Sequence, residues 1–289
     1  MSGRPRSSRR AGCEATAGPC PPVDNVYLAG EFRRSRTGAA MTVTLDTVAL
    51  PYAGVHNIRC LGGYPTGRGG TTRADAIWRG CALTGIGDTE REDLLTRGLA
   101  TIIDLRRADE IAAAPNPLAG DPRVSYVNIP LFDGLAPLDR MAEEAGGGFN
   151  MGIRYRRALD DCQDNMARVM RTIADAPPGG LYFHCTAGKD RTGLIAMLLL
   201  SNAGVDREIV IAEYALTERL GASLMDRLRT GIRARGATPE RTDRILASEP
   251  ETMRAVMDHL DKTYGGPVSY LDHIGIDAPL RDSLAARLA

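Results

Sequence analysis

A cysteine and an arginine separated by five residues are the side chains of this sequence best placed for chemistry. Cys185 and Arg191 enclose Thr186–Asp190, a segment short enough for its backbone N–H groups to curl around one tetrahedral anion. A helix that starts directly after the segment would point its positive end at the same anion. The amides, the helix end and Arg191 all favour thiolate over thiol, so Cys185 is predicted to be a nucleophile at neutral pH.

Residues 185–191 are called the cysteine loop. The side chains in and beside this loop suit transfer of a phosphoryl group. Arg191 carries a planar fork that can hold two phosphate oxygens while the phosphorus becomes trigonal bipyramidal. Thr192 can donate its hydroxyl to the sulfur and make it a better leaving group. His184 is interpreted as a buried hydrogen-bond donor, because a preformed thiolate needs no general base. The residues expected to bind the substrate are Thr186, Ala187, Gly188, Lys189 and Thr192.

The flanking sequence predicts a strand before the cysteine loop and a helix after it. Leu181–Phe183 is a short apolar run that follows the breaker cluster Pro177–Gly180, which indicates a buried strand. Thr192 opens the run Leu194–Leu200, which is apolar on nearly every face, and Gly204 then supplies a stop signal. We therefore expect the cysteine loop at the carboxyl end of a buried strand.

The ten residues His184–Gly193, H-C-T-A-G-K-D-R-T-G, resemble the signature loop of the cysteine-dependent protein tyrosine phosphatase superfamily. They are similar, more narrowly, to the bacterial tyrosine and phosphoinositide phosphatases of the type secreted by the tubercle bacillus. Asn57–Tyr64 resembles the N-F-R-D-L-G-G-Y segment of that family, with Cys60 where an acidic residue is usual. Ile102–Arg106 resembles its V-I-D-L-R segment, which is followed by Glu110. The resemblance implies an α/β fold with a central, mostly parallel sheet flanked by helices.

The same resemblance implies a reaction. Cys185 would attack phosphorus, a cysteinyl-phosphate would form and water would hydrolyse it, with no metal and no cofactor. The expected substrates are phosphotyrosine monoesters, with phosphoserine, phosphothreonine and phosphoinositide monoesters as further candidates. Asp190 is the first candidate for the general acid, because the related bacterial enzymes use that position. Asp133, on a loop after a predicted strand, is the second.

Three charged residues have two interpretations each. Lys189 either binds a second phosphate of the substrate or forms a salt bridge with Asp190 or Asp104 that shapes the loop. Asp104 and Arg106 lie at the carboxyl end of a predicted strand, where open α/β sheets place their sites. They either contact the substrate or form a structural ion pair beneath the loop.

Two other activities are weighed against hydrolysis. A binding module that captures phosphotyrosine without turnover would not need Cys185, Arg191 and Thr192 all intact. A thiol-based sulfur transferase has less need of Lys189 and Asp190 beside the arginine. The phosphatase interpretation is therefore preferred.

The composition indicates no global attraction to polyanions. The chain has 36 basic and 36 acidic side chains, so we expect no nucleic-acid partner and no stable membrane insertion. The family resemblance implies phosphorylated proteins or phosphoinositides as partners. An N-terminal apolar signal is absent from the sequence, which favours a cytoplasmic location and leaves open export by a route without such a signal. The six cysteines have no zinc-site spacing and suit a reducing compartment.

The chain divides into a tail and one domain. Residues 1–40 are rich in Arg, Gly, Pro and Ser and are predicted to be disordered, with a targeting peptide or an over-extended start as open alternatives. Residues 41–289 are expected to form the phosphatase domain. Within it, the pattern of residues 219–248 predicts two arginine-rich amphipathic helices. These helices either are the counterpart of the lid that the tubercle bacillus enzyme carries over its active site, which they resemble, or only present a solvated face. A long loop through Gly148 and then one helix, Met151–Asp175, are expected before the cysteine loop.

Overall fold

The structure is a computed structural model that describes residues 49–145 and 149–289. The predicted disorder of residues 1–40 concerns residues outside the described part of the chain. No helix among the described residues has the length and apolar character needed to span a bilayer.

A five-stranded sheet forms the centre of the fold, with the order β1-β2-β5-β3-β4. The strands are β1 Arg59–Cys60, β2 Ile77–Gly80, β3 Leu99–Asp104, β4 Ser125–Asn128 and β5 Gly180–His184. β1 is antiparallel to β2, and all the other neighbouring pairs are parallel. The predicted mostly parallel α/β sheet is thus confirmed.

Helices cover both faces of this sheet. They are α1 Asp88–Thr96, α2 Ala108–Ala113, α3 Leu138–Ala145, α4 Met151–Asp161, α5 Gln163–Asp175, α6 Asp190–Asn202, α7 Arg207–Ala215, α8 Thr217–Leu220, α9 Ala222–Ala234, α10 Pro239–Leu246, α11 Pro250–Tyr264, α12 Pro267–His273 and α13 Ala278–Leu288. Helix α6 contacts β2, β5, α7, α12 and α13, so the helix that follows the cysteine loop lies in the middle of the fold.

Side-chain alternation along the central strands divides the core into two layers. Ile103 and Phe183 belong to the larger layer, which also contains the buried side chains of α4 to α7. Ile102 and Tyr182 point to the smaller layer, which contains Leu94 of α1. Because both faces are covered, every residue of β5 is buried, as expected for a strand inside a parallel sheet.

Two predictions about the region before β5 are wrong. The single helix expected over Met151–Asp175 is divided into α4 and α5 at Cys162, whose backbone angles (φ −114°, ψ 34°) are not helical. No glycine or proline stands at this break, so the local pattern could not reveal it. The expected long loop contains α3, in which Met141 is buried and Leu138 and Ala145 pack against the core at helical spacing.

The two helices predicted within residues 219–248 are present as α9 and α10, called the α9–α10 pair below. The side chain of Thr238 accepts a hydrogen bond from the Arg241 N–H, with Pro239 in the first turn, which fixes the start of α10. Met225 of α9 and Leu246 of α10 pack against Ala187 of the cysteine loop. The pair therefore lies directly against the predicted site.

Candidate active site

The cysteine loop starts where three parallel strands end side by side. The last residue of β5, His184, is paired with Gly80 on one side and with Asp104 on the other. Gly188 lies close to this row of strand ends with φ +68°, and a Cβ atom there would come within 2.3 Å of the carbonyl carbon and oxygen of Gly80. Only glycine meets both requirements, because other residues rarely adopt this backbone conformation.

Two side chains beneath the cysteine loop hold its peptide groups in one orientation. Asn57 Nδ2 donates to the carbonyl oxygens of Ala187 and Gly188, at 3.1 Å each. Arg79 Nη2 donates to the Gly188 oxygen at 2.7 Å. Since the N–H of a trans peptide points opposite to its C=O, the N–H groups of Gly188 and Lys189 face away from these donors. This orientation is the one that an anion cradle above the loop requires.

Arg79 is itself held by a buried ion network. Glu213 Oε2 accepts from Arg79 Nη1 and its Oε1 accepts from Arg59 Nε, both at 2.6 Å. Burial, and next the charge of Arg59, lower the pKa of Arg79 to about 10, while the charge of Glu213 opposes this shift. One carboxylate thus pairs with two buried guanidinium groups under the cysteine loop.

Cys185 is buried and lines a cavity of about 400 Å³. The predicted site residues Thr186, Ala187, Lys189, Asp190 and Arg191 line the same cavity, together with Arg107, Glu110, Phe132, Leu138, Met151 and Arg154. The α9–α10 pair contributes Met225, Leu228, Ile232, Arg235, Ile245 and Leu246. A nucleophile, cations and apolar walls therefore meet in one concave site.

Glu110 fixes the guanidinium of Arg191. Its two carboxylate oxygens accept from Nη1 and Nη2 of Arg191 at 2.6 and 2.8 Å, and Oε1 also accepts from the Thr186 hydroxyl. Burial opposes the ionisation of Glu110, yet the hydrogen bonds and charge of Arg191 lower its pKa to about 2. Because Arg191 is held on one side, its Nε, which has no hydrogen-bond partner in the described part of the chain, is left for a ligand.

Asp190 is the candidate acid that the structure brings to Cys185. It lines the cavity, and its Oδ1 accepts from the Tyr155 hydroxyl at 2.5 Å. The hydroxyls of Tyr155 and Tyr214 lie 3.0 Å apart, so a chain of hydroxyl groups orients the carboxylate. Asp133 is exposed and does not line the cavity.

Comparison with known proteins agrees with this arrangement. Residues 50–289 match the model of the tyrosine phosphatase family. The chain is 34% identical over 230 residues to a tyrosine-protein phosphatase of Nostoc commune, covering 78% of each protein. The chain belongs to the tyrosine phosphatase family. It is also 29% identical over 246 residues to a putative tyrosine-protein phosphatase of Cupriavidus necator, covering 79% of this chain and 85% of the relative.

A further relative of this phosphatase is more distant in sequence. The triple specificity protein phosphatase PtpB of Mycobacterium tuberculosis is 25% identical over 242 residues, covering 71% of this chain and 87% of the relative. The family resemblance predicted from the sequence is therefore confirmed. No cluster of His, Cys, Asp and Glu among the described residues of the phosphatase has the geometry of a metal site.

Lys189 of the phosphatase lines the cavity and reaches the carboxyl end of α10. Its Nζ donates to the carbonyl oxygens of Ile245 at 2.5 Å and Ala247 at 3.2 Å, and lies 3.3 Å from Asp190 Oδ1. The three N–H groups of an ammonium therefore each have an acceptor. Of the two interpretations of Lys189, this geometry favours the loop-shaping salt bridge with Asp190, and it adds a link to the carboxyl end of α10.

His184, Asp104 and Arg106 form a buried layer behind the phosphatase site. Burial lowers the pKa of His184 to about 4, so its ring is neutral. Its Nδ1, 3.1 Å from the Cys185 carbonyl oxygen, then donates, and its Nε2 accepts from Asn116 Nδ2 at 3.1 Å. Asp104 and Arg106 are paired at 2.6 Å, and neither lines the cavity. This geometry favours the structural ion pair over substrate contact.

Thr192 does not make the expected hydrogen bond to sulfur. Its side chain is fully buried, and its hydroxyl has no hydrogen-bond partner among the described residues. Glu110, Asn57 and Glu213 had no role in the sequence interpretation. Asn57 and Glu110 lie in or near segments that resemble the family, and that position was the only signal that could have drawn attention to them.

Proposed function

We propose that this phosphatase hydrolyses phosphotyrosine monoesters through a cysteinyl-phosphate formed on Cys185. The observation that carries the proposal is the cavity, where Cys185 lies on an oriented peptide loop beside an arginine that Glu110 holds in place. Amide N–H groups, the start of α6 and Arg191 provide positive charge for three phosphate oxygens. Apolar walls that include Phe132 and Met151 suit the phenyl ring of the ester.

The first chemical step transfers the phosphoryl group to sulfur. The Cys185 thiolate forms an S–P bond while the P–O bond to the phenol breaks, and Asp190 gives its proton to the departing oxygen. Arg191 stabilises the charge that develops on the equatorial oxygens of the transition state with the guanidinium edge at Nε that Glu110 leaves open. The hydrogen bond from Tyr155 supports this role, because it keeps the Asp190 carboxyl directed into the cavity.

The second step returns the thiolate. Asp190 accepts a proton from a water molecule, the water oxygen forms a bond to phosphorus, and the S–P bond breaks to release phosphate. Thr192 would donate to the departing sulfur in this step. Its buried hydroxyl without a partner supports the assignment, since such a group is costly unless a hydrogen bond forms at some stage.

We propose a lid role for the α9–α10 pair. Its apolar side chains line the cavity together with Phe132 and Met151, and its attachment to the cysteine loop includes the Lys189 ammonium. Phosphoserine, phosphothreonine and phosphoinositide esters are kept as further candidate substrates, because a relative carries the name triple specificity protein phosphatase.

The test combines turnover with trapping. The protein should hydrolyse p-nitrophenyl phosphate and a phosphotyrosine peptide with a chelator present, and acid quenching should recover labelled phosphate on Cys185. Cys185→Ser should abolish turnover while the peptide still binds, because the amides and Arg191 remain. Cys162→Ser is the matched control, since this buried cysteine is outside the cavity. Turnover by Cys185→Ser close to that of the wild type would refute the covalent mechanism.

A further inference from the structure

Arg154 is a partly buried cation beside the proposed site. It extends from α4 and lines the same cavity as Cys185. Its Nη1 donates to the Ala136 carbonyl oxygen at 2.8 Å and contacts Met141 Sδ at 3.1 Å, both uncharged acceptors. Within residues 49–145 and 149–289, no carboxylate forms a salt bridge with Arg154, and its Nε and Nη2 have no hydrogen-bond partner.

Two other arginines of the cavity, Arg107 and Arg191, are paired with carboxylates. Arg107 Nη2 lies 2.8 Å from Asp109 Oδ2, and Arg191 is held by Glu110. Burial lowers the pKa of Arg154; the charge of Asp190 opposes this shift, and the charges of Arg191 and Arg107 add to it. An anion brought to Arg154 would relieve this unfavourable environment, because opposite charges favour the ionised form of both groups.

The phenyl ring of Phe132 sets the position of Arg154 relative to Arg191. The guanidinium carbons of Arg154 and Arg191 lie 5.4 and 5.9 Å from the centre of this one ring. Contacts of this kind hold a guanidinium near an aromatic face. A group bound by Arg154 would therefore lie next to a phosphate bound by Arg191.

The walls of the cavity indicate what carries this second anion. Leu138 and Met151, together with Met225 and Leu228 of α9, line it with apolar side chains. An aryl ring can pack against these side chains, whereas the hydroxyl groups of a polyol ring would lose hydrogen bonds to water there. The cavity thus favours a phosphotyrosine peptide over an inositol headgroup.

We propose that Arg154 binds the carboxylate of an acidic residue adjacent to phosphotyrosine and selects such peptides as substrates. This inference rests on the proposed phosphotyrosine hydrolysis and names the sequence context that the site prefers. A charged hydrogen bond of this kind corresponds to a preference of about tenfold in kcat/KM.

The experiment compares kcat/KM for two matched peptides, in which phosphotyrosine is flanked by Glu or by Gln on both sides. The wild type should prefer the Glu peptide about tenfold. Arg154→Gln should remove this preference, and Arg154→Lys should retain part of it, because a point charge replaces a planar fork. A loss of activity that affects both peptides equally cancels in the ratio of their kcat/KM values. The control Arg157→Gln changes an exposed arginine of α4 outside the cavity and should leave the ratio unchanged.

Three results would overturn the assignment. The first is an equal rate for the two peptides in the wild type, and the second is an unchanged ratio in Arg154→Gln. The third is a selective loss by Arg154→Gln on a phosphoinositide bisphosphate relative to its monophosphate, with peptide preference intact. Each of these leaves phosphotyrosine hydrolysis in place. Absence of wild-type turnover on both peptides would refute the proposed function itself.

Discussion

Replacement of Glu213 by glutamine tests the network that supports the cysteine loop. The side chains of Arg59 and Arg79 are 0% exposed, and that of Glu213 is 2% exposed. Glutamine keeps the shape of the side chain but leaves two buried guanidinium groups without a counter-charge. Removal of one partner of a buried ion pair costs about 3–5 kcal/mol. Since domains of this kind are stable by about 5–15 kcal/mol, Glu213→Gln should lose a large part of the free energy of unfolding.

Urea denaturation followed by circular dichroism measures this loss. With an m-value of about 3 kcal/mol/M, the midpoint should fall by about 1–1.7 M. The control is Asp282→Asn, which breaks a salt bridge with Arg68 whose side chains are 63% and 66% exposed. Such a surface pair is worth at most about 1 kcal/mol. A midpoint for Glu213→Gln no lower than that of Asp282→Asn would refute the reasoning that the network is held by charge.

Three other substitutions test individual parts of the site. Gly188→Ala should reduce kcat/KM by about 100-fold, because its methyl group would displace the loop from Gly80; an active alanine variant would disprove the tight fit. Lys189→Met should speed amide hydrogen exchange in α10, since the two hydrogen bonds from Lys189 to the carbonyl end of this helix are lost. Unchanged exchange would mean that these bonds do not hold α10 against the cysteine loop. Asp190→Asn should slow phenyl phosphate about 100-fold more than p-nitrophenyl phosphate, whose leaving group needs no proton. If only Asp133→Asn shows this dependence on the leaving group, Asp133 and not Asp190 is the general acid.

The sequence predicted the segment from β5 to α6 because its signals are local. An apolar run after a breaker cluster, a short loop and a second apolar run each depend on neighbouring residues, and all three elements are where the pattern placed them. The mostly parallel sheet, which the family resemblance implied, is confirmed as well. The start of α6 at Asp190, before Thr192, is a boundary difference that the apolar pattern could not resolve.

The parts that were missed depend on contacts between distant segments. Glu110 and Arg191 are 81 positions apart, and the pattern around Glu110 alone gives no sign of its partner. Lys189 reaches a carbonyl group 56 positions later, which only the folded position of α10 determines. Local sequence thus identified the reactive groups, whereas the groups that orient them required the fold.

The alignment of the strand ends has a consequence for motion. Because His184 is paired on both sides, with Gly80 and Asp104, the base of the cysteine loop can open only if the middle of the sheet opens as well. Backbone amides in such a place exchange with solvent through the rarest, most global openings. We therefore expect the slowest exchange in the strand that ends at His184 and faster exchange in the α9–α10 pair. The phosphatase would then bind and release its ligands by movement of the α9–α10 pair, while the base of the cysteine loop stays in place.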